Sequence, residues 1–264
     1  MENIKIIFFD IDGTLIAMNH DKISKKVLQT LKQLQQKGIK LCIATGRGPM
    51  MIPRFDNVEF DLFLAYNGSY CYTKEEILYS HAISTGDIDT VINNADKMKK
   101  VVAFATKDSI VANGVDPNLI EYCSFGKAEI KIEKDFEEVK KEGVYQILMG
   151  IRENEYEEAI EDVSSVKISA WWDRAVDIIP SDAGKGIGIE RVLKYYGFDK
   201  TQSMAFGDGN NDIEMLQAVG IGIAMDNASD ELKAVADEIC EDVAEDGIYQ
   251  FCLKKHLIED INNL

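Results

Sequence analysis

Two aspartates two positions apart, Asp10 and Asp12, directly follow an apolar run at residues 4–9. A run of this length is typical of a buried parallel strand, so the two acids fall at its carboxyl end. Side chains two apart on an extended segment point to the same side. Two close carboxylates repel each other unless a shared proton or a cation relieves them. Because oxygen ligands suit hard divalent ions, this pair predicts a Mg²⁺ site.

A second acidic cluster follows another short apolar segment near the C-terminus. Asp208 and Asp212 lie in the glycine-rich stretch Gly-Asp-Gly-Asn-Asn-Asp at residues 207–212. Thr45 ends a further strand-like segment and offers a hydroxyl group. Lys185 places a positive charge at the start of a predicted helix, whose N-terminus adds partial positive charge. Acids that hold a cation, beside groups that hold an anion, predict a site for phosphoryl transfer.

Alternating strand and helix patterns position these residues. Residues 4–9, 39–44 and 62–66 are predicted strands, and a helix capped by Ser24 and closed by Gly38 lies between the first two. The C-terminal third repeats the alternation, which is typical of right-handed βαβ units. Both ends therefore predict one Rossmann-like, doubly wound parallel sheet of the α/β class. Such folds bind ligands at the carboxyl ends of their strands.

The middle of the chain has a different pattern. Between residues 83 and 179, short strand pairs alternate with helices, as in an α+β unit with an antiparallel sheet. We therefore predict a separate α+β domain over residues 83–179, and the family resemblance described next implies that it is a cap domain. It is inserted into a discontinuous core domain formed by residues 1–82 and 180–264.

Four segments, in this order, resemble the motifs of the haloacid dehalogenase-like hydrolase superfamily. They are Asp-Ile-Asp-Gly-Thr-Leu at residues 10–15, Thr-Gly-Arg at 45–47, Lys185, and the glycine-rich stretch at 207–212. The place of the insert, together with Asn-Gly at 67–68 and Glu-Asp-Gly-Ile at 245–248, resembles the Cof-like, type IIB subgroup. That resemblance covers the whole chain. It implies a Mg²⁺-dependent phosphatase of small phosphorylated metabolites, with sugar phosphates as the expected class.

The resemblance also implies a role for each residue of the site. Asp10 is the nucleophile that attacks phosphorus. Asp12 protonates the leaving oxygen and then activates the water that hydrolyses the intermediate. The implied Mg²⁺ ligands are Asp10, Asp12 through its backbone carbonyl, Asp208 and Asp212. The implied phosphate ligands are Ile11, Thr45, Gly46, Lys185 and Asn211.

Some residues and the function itself keep alternative interpretations. Asp212 can serve as the acidic cap of the next helix or bind metal, directly or through water. Arg47 is interpreted as the partner of a surface acid and is left outside the site. Residues 166–172 are predicted to form a strand, so Trp171 and Trp172 are expected on opposite faces. The alternative functions are a phosphomutase or phosphotransferase of related fold and a non-catalytic regulator that binds a phosphometabolite.

The charge and composition exclude several classes of protein. With 29 basic and 46 acidic residues, the net charge of −17 does not suit binding to nucleic acid or to an anionic membrane. The five widely spaced cysteines indicate reduced thiols, and the three scattered histidines form no zinc-binding pattern. We therefore expect a cytoplasmic enzyme whose partner is a small phosphorylated metabolite, with no obligate protein partner.

Overall fold

The computed structural model describes residues 3–18, 20, 22–133 and 135–260, which form two sheets flanked by helices. The first strands are β1 (Ile6–Phe9), β2 (Lys40–Ala44), β3 (Leu62–Ala65), β4 (Tyr70–Tyr72) and β5 (Ile77–Ser80). The middle strands are β6 (Val102–Ala105), β7 (Ile110–Ala112), β8 (Ile130–Ile132), β9 (Gln146–Met149), β10 (Val166–Ser169) and β11 (Val176–Pro180). The last are β12 (Ser203–Gly207), β13 (Ile221–Met225) and β14 (Glu238–Cys240).

The α-helices fill the connections between these strands. They are α1 (Lys25–Gln36), α2 (Thr85–Met98), α3 (Pro117–Phe125), α4 (Glu137–Lys141), α5 (Tyr156–Ala159), α6 (Lys185–Tyr196), α7 (Ile213–Ala218), α8 (Asp230–Val235) and α9 (Gly247–Lys254). The predicted cap of α1 is present, since Ser24 Oγ accepts a hydrogen bond from the Val27 amide at 3.1 Å. None of the described helices combines the length and apolar character that a membrane span requires.

The central strand of the larger sheet is β1, and all four of its residues are fully buried. Ile7 and Phe9 pack with residues of α1 and α9 on one face of the sheet. Ile6 and Phe8 pack with residues of α6 and α7 on the other. Because both faces are covered, the strand has the continuous apolar sequence that marks its position in the chain.

The larger sheet has the strand order β14-β13-β12-β1-β2-β3-β4-β5. Its strands are parallel from β14 to β3, which confirms the predicted doubly wound sheet. The chain proceeds from β1 to β2 and β3 on one side and resumes at β12 on the other. The carboxyl ends of β1, β2 and β12 therefore meet at the switch point where such sheets bind ligands. The antiparallel strands β4 and β5, at one end of this sheet, were not predicted from the sequence.

The smaller sheet is built from residues between β5 and α6 and has the order β10-β11-β9-β6-β7-β8. Its pairings are antiparallel except that between β7 and β8. The predicted strand over residues 166–172 is wrong beyond Ser169. Ser169 already pairs with Asp177 of β11, so the residues between them must turn the chain back, and Trp171 and Trp172 lie in that turn.

The smaller sheet packs on the larger one through specific hydrogen bonds. Tyr66, which follows β3, donates from its hydroxyl to the Thr106 carbonyl at 2.6 Å. The hydroxyls of Ser80 and Tyr145 lie 2.9 Å apart. These contacts hold the smaller sheet beside the carboxyl ends of the parallel strands.

Candidate active site

The carboxyl ends of β1 and β12 bring three acidic side chains together. Asp10 directly follows β1, and its amide donates to the Phe206 carbonyl of β12 at 3.1 Å. Asp208 follows β12, and Asp212 ends the next short turn, Asn210–Asp212. One carboxylate oxygen from each of these acids lies within 4.8 Å of the other two. Residues about 200 positions apart in sequence thus form one cluster because their strands are parallel neighbours.

Lys185 is a buried cation within this cluster. It is the first residue of α6, and its Nζ donates to Asp10 Oδ1 at 2.6 Å and to Asp212 Oδ1 at 2.5 Å. Burial by itself lowers the pKa of an ammonium group. The two carboxylates more than offset that effect and raise the pKa of Lys185 above its ordinary value. The lysine is therefore held in its charged form.

The three acids carry more negative charge than one lysine balances. Burial raises the pKa of Asp10 to about 7 against the lowering effect of Lys185, and the charges of Asp212 and Asp12 add to the rise. Burial, followed by the charges of Asp10 and Asp212, also raises the pKa of Asp208 well above its usual range. Additional positive charge at this position would relieve the repulsion.

The donor set fits a hard divalent cation such as Mg²⁺, because it offers carboxylate oxygens alone. Lys185 donates to Oδ1 of Asp10 and Thr14 to Oδ1 of Asp208, while the second oxygen of each acid accepts no hydrogen bond from another described residue. Both oxygens of Asp212 are engaged, one by Lys185 and one by two loop amides at 3.0 and 3.1 Å. Asp10 and Asp208 are thus better placed for direct metal contact than Asp212.

Gly13 allows the turn after β1 to approach Asp208 closely. Its φ of +80° lies in the region that favours glycine. A Cβ atom at this position would lie 2.1 Å from Asp208 Oδ2. The next residue, Thr14, donates from Oγ1 to Asp208 Oδ1 at 2.8 Å. Gly13 and Thr14, from the first motif, therefore position Asp208, from the last motif.

The Asp12 side chain lies outside the three-acid cluster because it pairs with Arg47. Arg47 Nε and Nη2 donate to the two Asp12 oxygens at 2.7 and 2.6 Å in a bidentate pair. The same guanidinium donates to the carbonyls of Met51, at 2.9 Å, and Phe125, at 3.3 Å. Interpreting Arg47 as the partner of a surface acid was wrong, since its partner is the predicted acid–base residue. The Thr-Gly-Arg motif was the signal that could have identified it.

Most of the predicted phosphate-binding residues line one cavity at the end of β2. Thr45, Gly46 and Asn211 share this cavity with Asp10. Asn211 is held in place because its Nδ2 donates to Asn67 Oδ1 at 3.2 Å. The arrangement places a hydroxyl, a backbone amide and a side-chain amide around one side of the Asp10 carboxylate.

Lys185 and Ile11 have different positions relative to this cavity. Lys185 lines a neighbouring pocket, together with Asn211, and reaches the acids from that side. The Ile11 side chain is fully buried in the hydrophobic core. Its carbonyl accepts hydrogen bonds from amides of the following turn, so its own amide is the group that it can offer to a phosphate.

A buried acid that sequence reasoning did not identify, Asp177, lies where the two sheets meet. Asn67 Nδ2 donates to its Oδ2 at 3.0 Å, and the Tyr122 hydroxyl donates to its Oδ1 at 2.8 Å. Burial raises the pKa of Asp177 to about 7 despite these hydrogen bonds. The available sequence signal was an acid within the apolar segment at residues 175–179.

Trp171 and Trp172 pack against the same two side chains, so the expectation of opposite faces was wrong. Their ring centroids lie 5.1 and 5.9 Å from that of Tyr122, and 5.5 and 5.4 Å from that of Phe125. Trp171 lines the cavity of the site. Trp172 instead packs against the Arg174 guanidinium at 4.1 Å.

Comparison with known proteins gives consistent results. A family model described as haloacid dehalogenase-like hydrolase matches residues 7–252. The chain is 33% identical over 247 residues to "Putative phosphatase YkrA" of Bacillus subtilis (strain 168), covering 92% of this chain and 95% of that protein. It is 27% identical over 262 residues to 5-amino-6-(5-phospho-D-ribitylamino)uracil phosphatase YitU of the same strain, covering 93% and 95%. The solved HAD subclass IIB sugar phosphatase BT4131 is 30% identical, with a TM-score of 0.86 over 96% of this chain and 100% of that one.

Proposed function

The chain belongs to the haloacid dehalogenase-like hydrolase family, and from this premise we propose that it is a Mg²⁺-dependent phosphatase of small phosphorylated metabolites. The observation that carries the proposal is the 2.6 Å contact between Lys185 Nζ and Asp10 Oδ1 inside the three-acid cluster. A nucleophilic carboxylate beside a fixed ammonium group and a cation-binding acidic cluster suits phosphoryl transfer, in which positioning and charge neutralisation provide most of the catalysis.

The first step transfers the phosphoryl group to Asp10. A carboxylate oxygen of Asp10 attacks phosphorus, and the bond between phosphorus and the ester oxygen breaks. Asp12 gives a proton to the departing oxygen. The products are the free alcohol and an aspartyl-phosphate.

The second step hydrolyses that intermediate. Asp12, now a carboxylate, accepts a proton from water while the water oxygen attacks phosphorus. The acyl-phosphate bond breaks, which restores the Asp10 carboxylate. Over the two steps, one phosphate monoester and one water give one alcohol and one inorganic phosphate.

Arg47 is the proposed positioning residue for Asp12. Its bidentate contact fixes the position of both Asp12 oxygens. Asp12 needs a proton to act as an acid in the first step. The negative phosphoryl group of an arriving substrate competes for the guanidinium and weakens this pair, so Asp12 becomes available when substrate is present.

Asp10, Asp208 and the Asp12 carbonyl are the residues proposed to hold Mg²⁺, with Asp212 supporting them. Bound there, the ion supplies positive charge that neutralises the phosphoryl oxygens. The residues proposed to hold the phosphoryl group are Ile11, Thr45, Gly46, Lys185 and Asn211. Thr45, Gly46 and Asn211 line the same cavity as Asp10, and Lys185 contacts Asp10 from the neighbouring pocket.

We propose that residues 83–179 act as a cap and that residues 1–82 and 180–264 form the catalytic core. The support is that the cavity at Asp10 is lined by residues from both sheets. Among them are Tyr122 from the smaller sheet's helix α3 and Thr45 from the larger sheet. A cover of this kind excludes bulk water and leaves substrate selection to the cap.

The two alternative functions receive less support. A phosphomutase needs a second phosphate position, yet Arg47 is the one cation among the described residues of the cavity, and it pairs with Asp12. A non-catalytic binding protein would not require the combination of Asp10, Asp12, Lys185 and Asp208, which this chain retains.

The test is Mg²⁺-dependent release of inorganic phosphate from a panel of phosphorylated metabolites. We expect release by the wild type and by Asp226→Asn, which alters an exposed acid outside the cavity. Asp10→Asn should release none while keeping the same circular dichroism spectrum. Undiminished release by Asp10→Asn, or none by the wild type, would contradict the proposal.

We also propose that the protein works in a reducing compartment such as the cytoplasm, without an obligate protein partner. All five cysteines are buried and unpaired. Burial raises the pKa of the Cys42 and Cys252 thiols, which keeps them protonated and unreactive. Five reactive thiols should be counted after denaturation without a reductant, and fewer would argue for an oxidised protein.

A further inference from the structure

The cavity at Asp10 extends well beyond the space that a phosphoryl group requires. Its lining residues run from Asp10, directly after β1, to Ile110 of β7 and Leu148 of β9 in the smaller sheet. Its catalytic end holds Asp10, Thr45 and Asn211. Its other end, which we name the cap end, lies against the smaller sheet. A leaving group must occupy the cap end while its phosphate is at Asp10.

Apolar and aromatic side chains form the wall of the cap end. They are Met51, Ile110, Leu148, Tyr122, Phe125 and Trp171. The Tyr122 and Trp171 rings are tilted by 30° with centroids 5.1 Å apart, and Phe125 meets Trp171 edge to face at 5.5 Å. Trp171 Nε1 donates to the Tyr122 hydroxyl at 2.6 Å, which fixes the two rings relative to each other. Aromatic side chains that line a cavity favour a planar ring, which can stack on them or meet them edge to face.

Polar groups at the cap end are almost all engaged by the protein itself. The Tyr66 hydroxyl donates to the Thr106 carbonyl, and the Tyr122 hydroxyl donates to Asp177. Gln146 is the exception, because its side chain is buried and its Oε1 has no hydrogen-bond partner among the described residues. An unpaired buried acceptor that lines a cavity is a position at which the N–H or O–H of a ligand can bind.

The charged groups near the cap end favour a leaving group without a negative charge of its own. Arg47 is the one cation among the described lining residues, and its guanidinium is already engaged by Asp12 and by the Met51 and Phe125 carbonyls. A leaving group with its own carboxylate or second phosphate would have to displace one of these partners. A leaving group with many hydroxyls would leave several of them buried and unpaired, which disfavours its binding.

We propose that the cap end binds a planar aromatic leaving group that carries an N–H donor for Gln146 Oε1. The preferred substrates are then phosphate monoesters of primary alcohols that bear a nitrogen heterocycle, in preference to hexose phosphates. Trp171 and Gln146 are the specificity-determining residues. This inference rests on the proposed phosphatase function, because it assigns the alcohol side of the same reaction.

The experiment compares esters that share the reacting atoms and differ at the cap end. Tryptophol phosphate has a planar ring and an N–H, N-methyltryptophol phosphate has the ring alone, and cyclohexylethanol phosphate has neither. All three are esters of primary alcohols, so differences in kcat/KM report binding of the leaving group. A hexose phosphate represents polyhydroxylated substrates, and acetyl phosphate tests phosphatase activity without any leaving group to fill the cap end.

We expect kcat/KM to be highest for tryptophol phosphate and at least tenfold lower for the cyclohexyl and hexose esters. N-methylation should reduce it about tenfold in the wild type and have little effect in Gln146→Met, which lacks the acceptor. Trp171→Leu should lower the ratio of aromatic to hexose turnover about tenfold. The matched control Trp172→Leu should keep that ratio, because Trp172 contacts the same rings without lining the cavity.

The outcomes separate this inference from the function on which it rests. Turnover of acetyl phosphate with equal or better use of the hexose ester would overturn the aromatic cap end and leave the phosphatase intact. Equal losses in Trp171→Leu and Trp172→Leu would also overturn it, since general destabilisation would explain both. No phosphate release from any compound by the folded protein would overturn both proposals.

Discussion

The Asn67 side-chain amide donates a hydrogen bond to Asp177 Oδ2 at 3.0 Å, and this bond joins the two sheets beside the three-acid cluster. Asn67 follows β3 of the larger sheet, and Asp177 lies in β11 of the smaller one. The Oδ1 atom of the same Asn67 side chain accepts a hydrogen bond from Asn211 Nδ2 at 3.2 Å. One side chain thus connects a proposed phosphate ligand to the proposed cap. The backbone of Asn67 has a φ of 51°, a left-handed conformation that asparagine tolerates better than most residues.

Replacing Asn67 should impair phosphate binding as well as stability. In Asn67→Gly the backbone keeps its left-handed conformation, but both hydrogen bonds are lost, and we expect destabilisation of about 1–3 kcal/mol. KM should rise about tenfold because Asn211 is no longer held. Asn94→Gly is the control, since Asn94 is equally buried and bonds to the Ala159 and Glu161 carbonyls. It should destabilise the protein without changing KM; equal KM changes in both variants would argue against the role of Asn67.

The buried Asp177 should make stability decrease as pH rises. The folded protein keeps this carboxyl protonated up to about pH 7, whereas the unfolded chain loses the proton near 3.8. Between these values the folded state binds more protons, so the stability that this group contributes is complete below pH 3.8 and is lost as pH approaches 7. At about 1.4 kcal/mol per unit of pKa, the loss is on the order of 4 kcal/mol.

The measurement is the melting temperature of wild type and Asp177→Asn across this pH range. Asn cannot ionise, so the melting temperature of the wild type should fall relative to that of the variant as pH rises. Tyr122, Asn67, Lys185 and Gln146 are the groups that contact or influence Asp177, and they are unchanged in the variant. Asp173→Asn, at an exposed acid in the preceding turn, should follow the wild type. A constant difference between wild type and Asp177→Asn would show that folding does not raise the pKa of Asp177.

Replacing Arg47, which holds Asp12, with lysine should lower kcat more than it weakens substrate binding. Lysine at position 47 keeps the charge but cannot contact both Asp12 oxygens as Arg47 does. We expect Arg47→Lys to lower kcat about 10- to 100-fold, within the usual contribution of a positioned acid–base group. Arg174→Lys, which alters an arginine paired with Glu121 away from Asp12, is the control. If kcat is unchanged in Arg47→Lys, Asp12 does not depend on this contact.

A methyl group at Gly13 should displace Asp208. The added Cβ would lie 2.1 Å from Asp208 Oδ2, and the positive φ adds backbone strain of about 1–2 kcal/mol. We expect Gly13→Ala to lose most activity and to bind Mg²⁺ weakly. Gly38→Ala is matched in conformation, since its φ is +78°, but a Cβ there meets no other atom within 4 Å. A lower melting temperature in both variants, with activity lost only in Gly13→Ala, would separate steric displacement from strain.

Mg²⁺ should stabilise the folded protein through Asp208. A ligand present at a hundred times its Kd stabilises by about 2.7 kcal/mol, which raises the melting temperature. Asp208→Asn should reduce this rise, because one of the two acids with an oxygen available to the metal is lost. Asp226→Asn should show the same rise as the wild type. Identical shifts in all three proteins would place the ion elsewhere.

The sequence by itself determined the core fold and the cluster of residues at the strand ends. A strand buried on both faces must be continuously apolar, so β1, β2 and β12 were recognisable, and the polar residues after them had to share one edge of the sheet. Asp10, Thr45 and Asp208 needed no other information to be placed together. Lys185 required the family resemblance, because a single lysine at a helix start carries no distinctive local pattern.

Only the tertiary structure decided how side chains pair across the site. Arg47 and Asp12 meet, and Asp177 becomes a buried acid, because distant segments pack side by side, and no local periodicity encodes such contacts. The turn that places Trp171 and Trp172 against the same rings depends on β11 returning beside β10. Strand propensity did not reveal it, because apolar and aromatic residues suit a strand and a packed turn equally well.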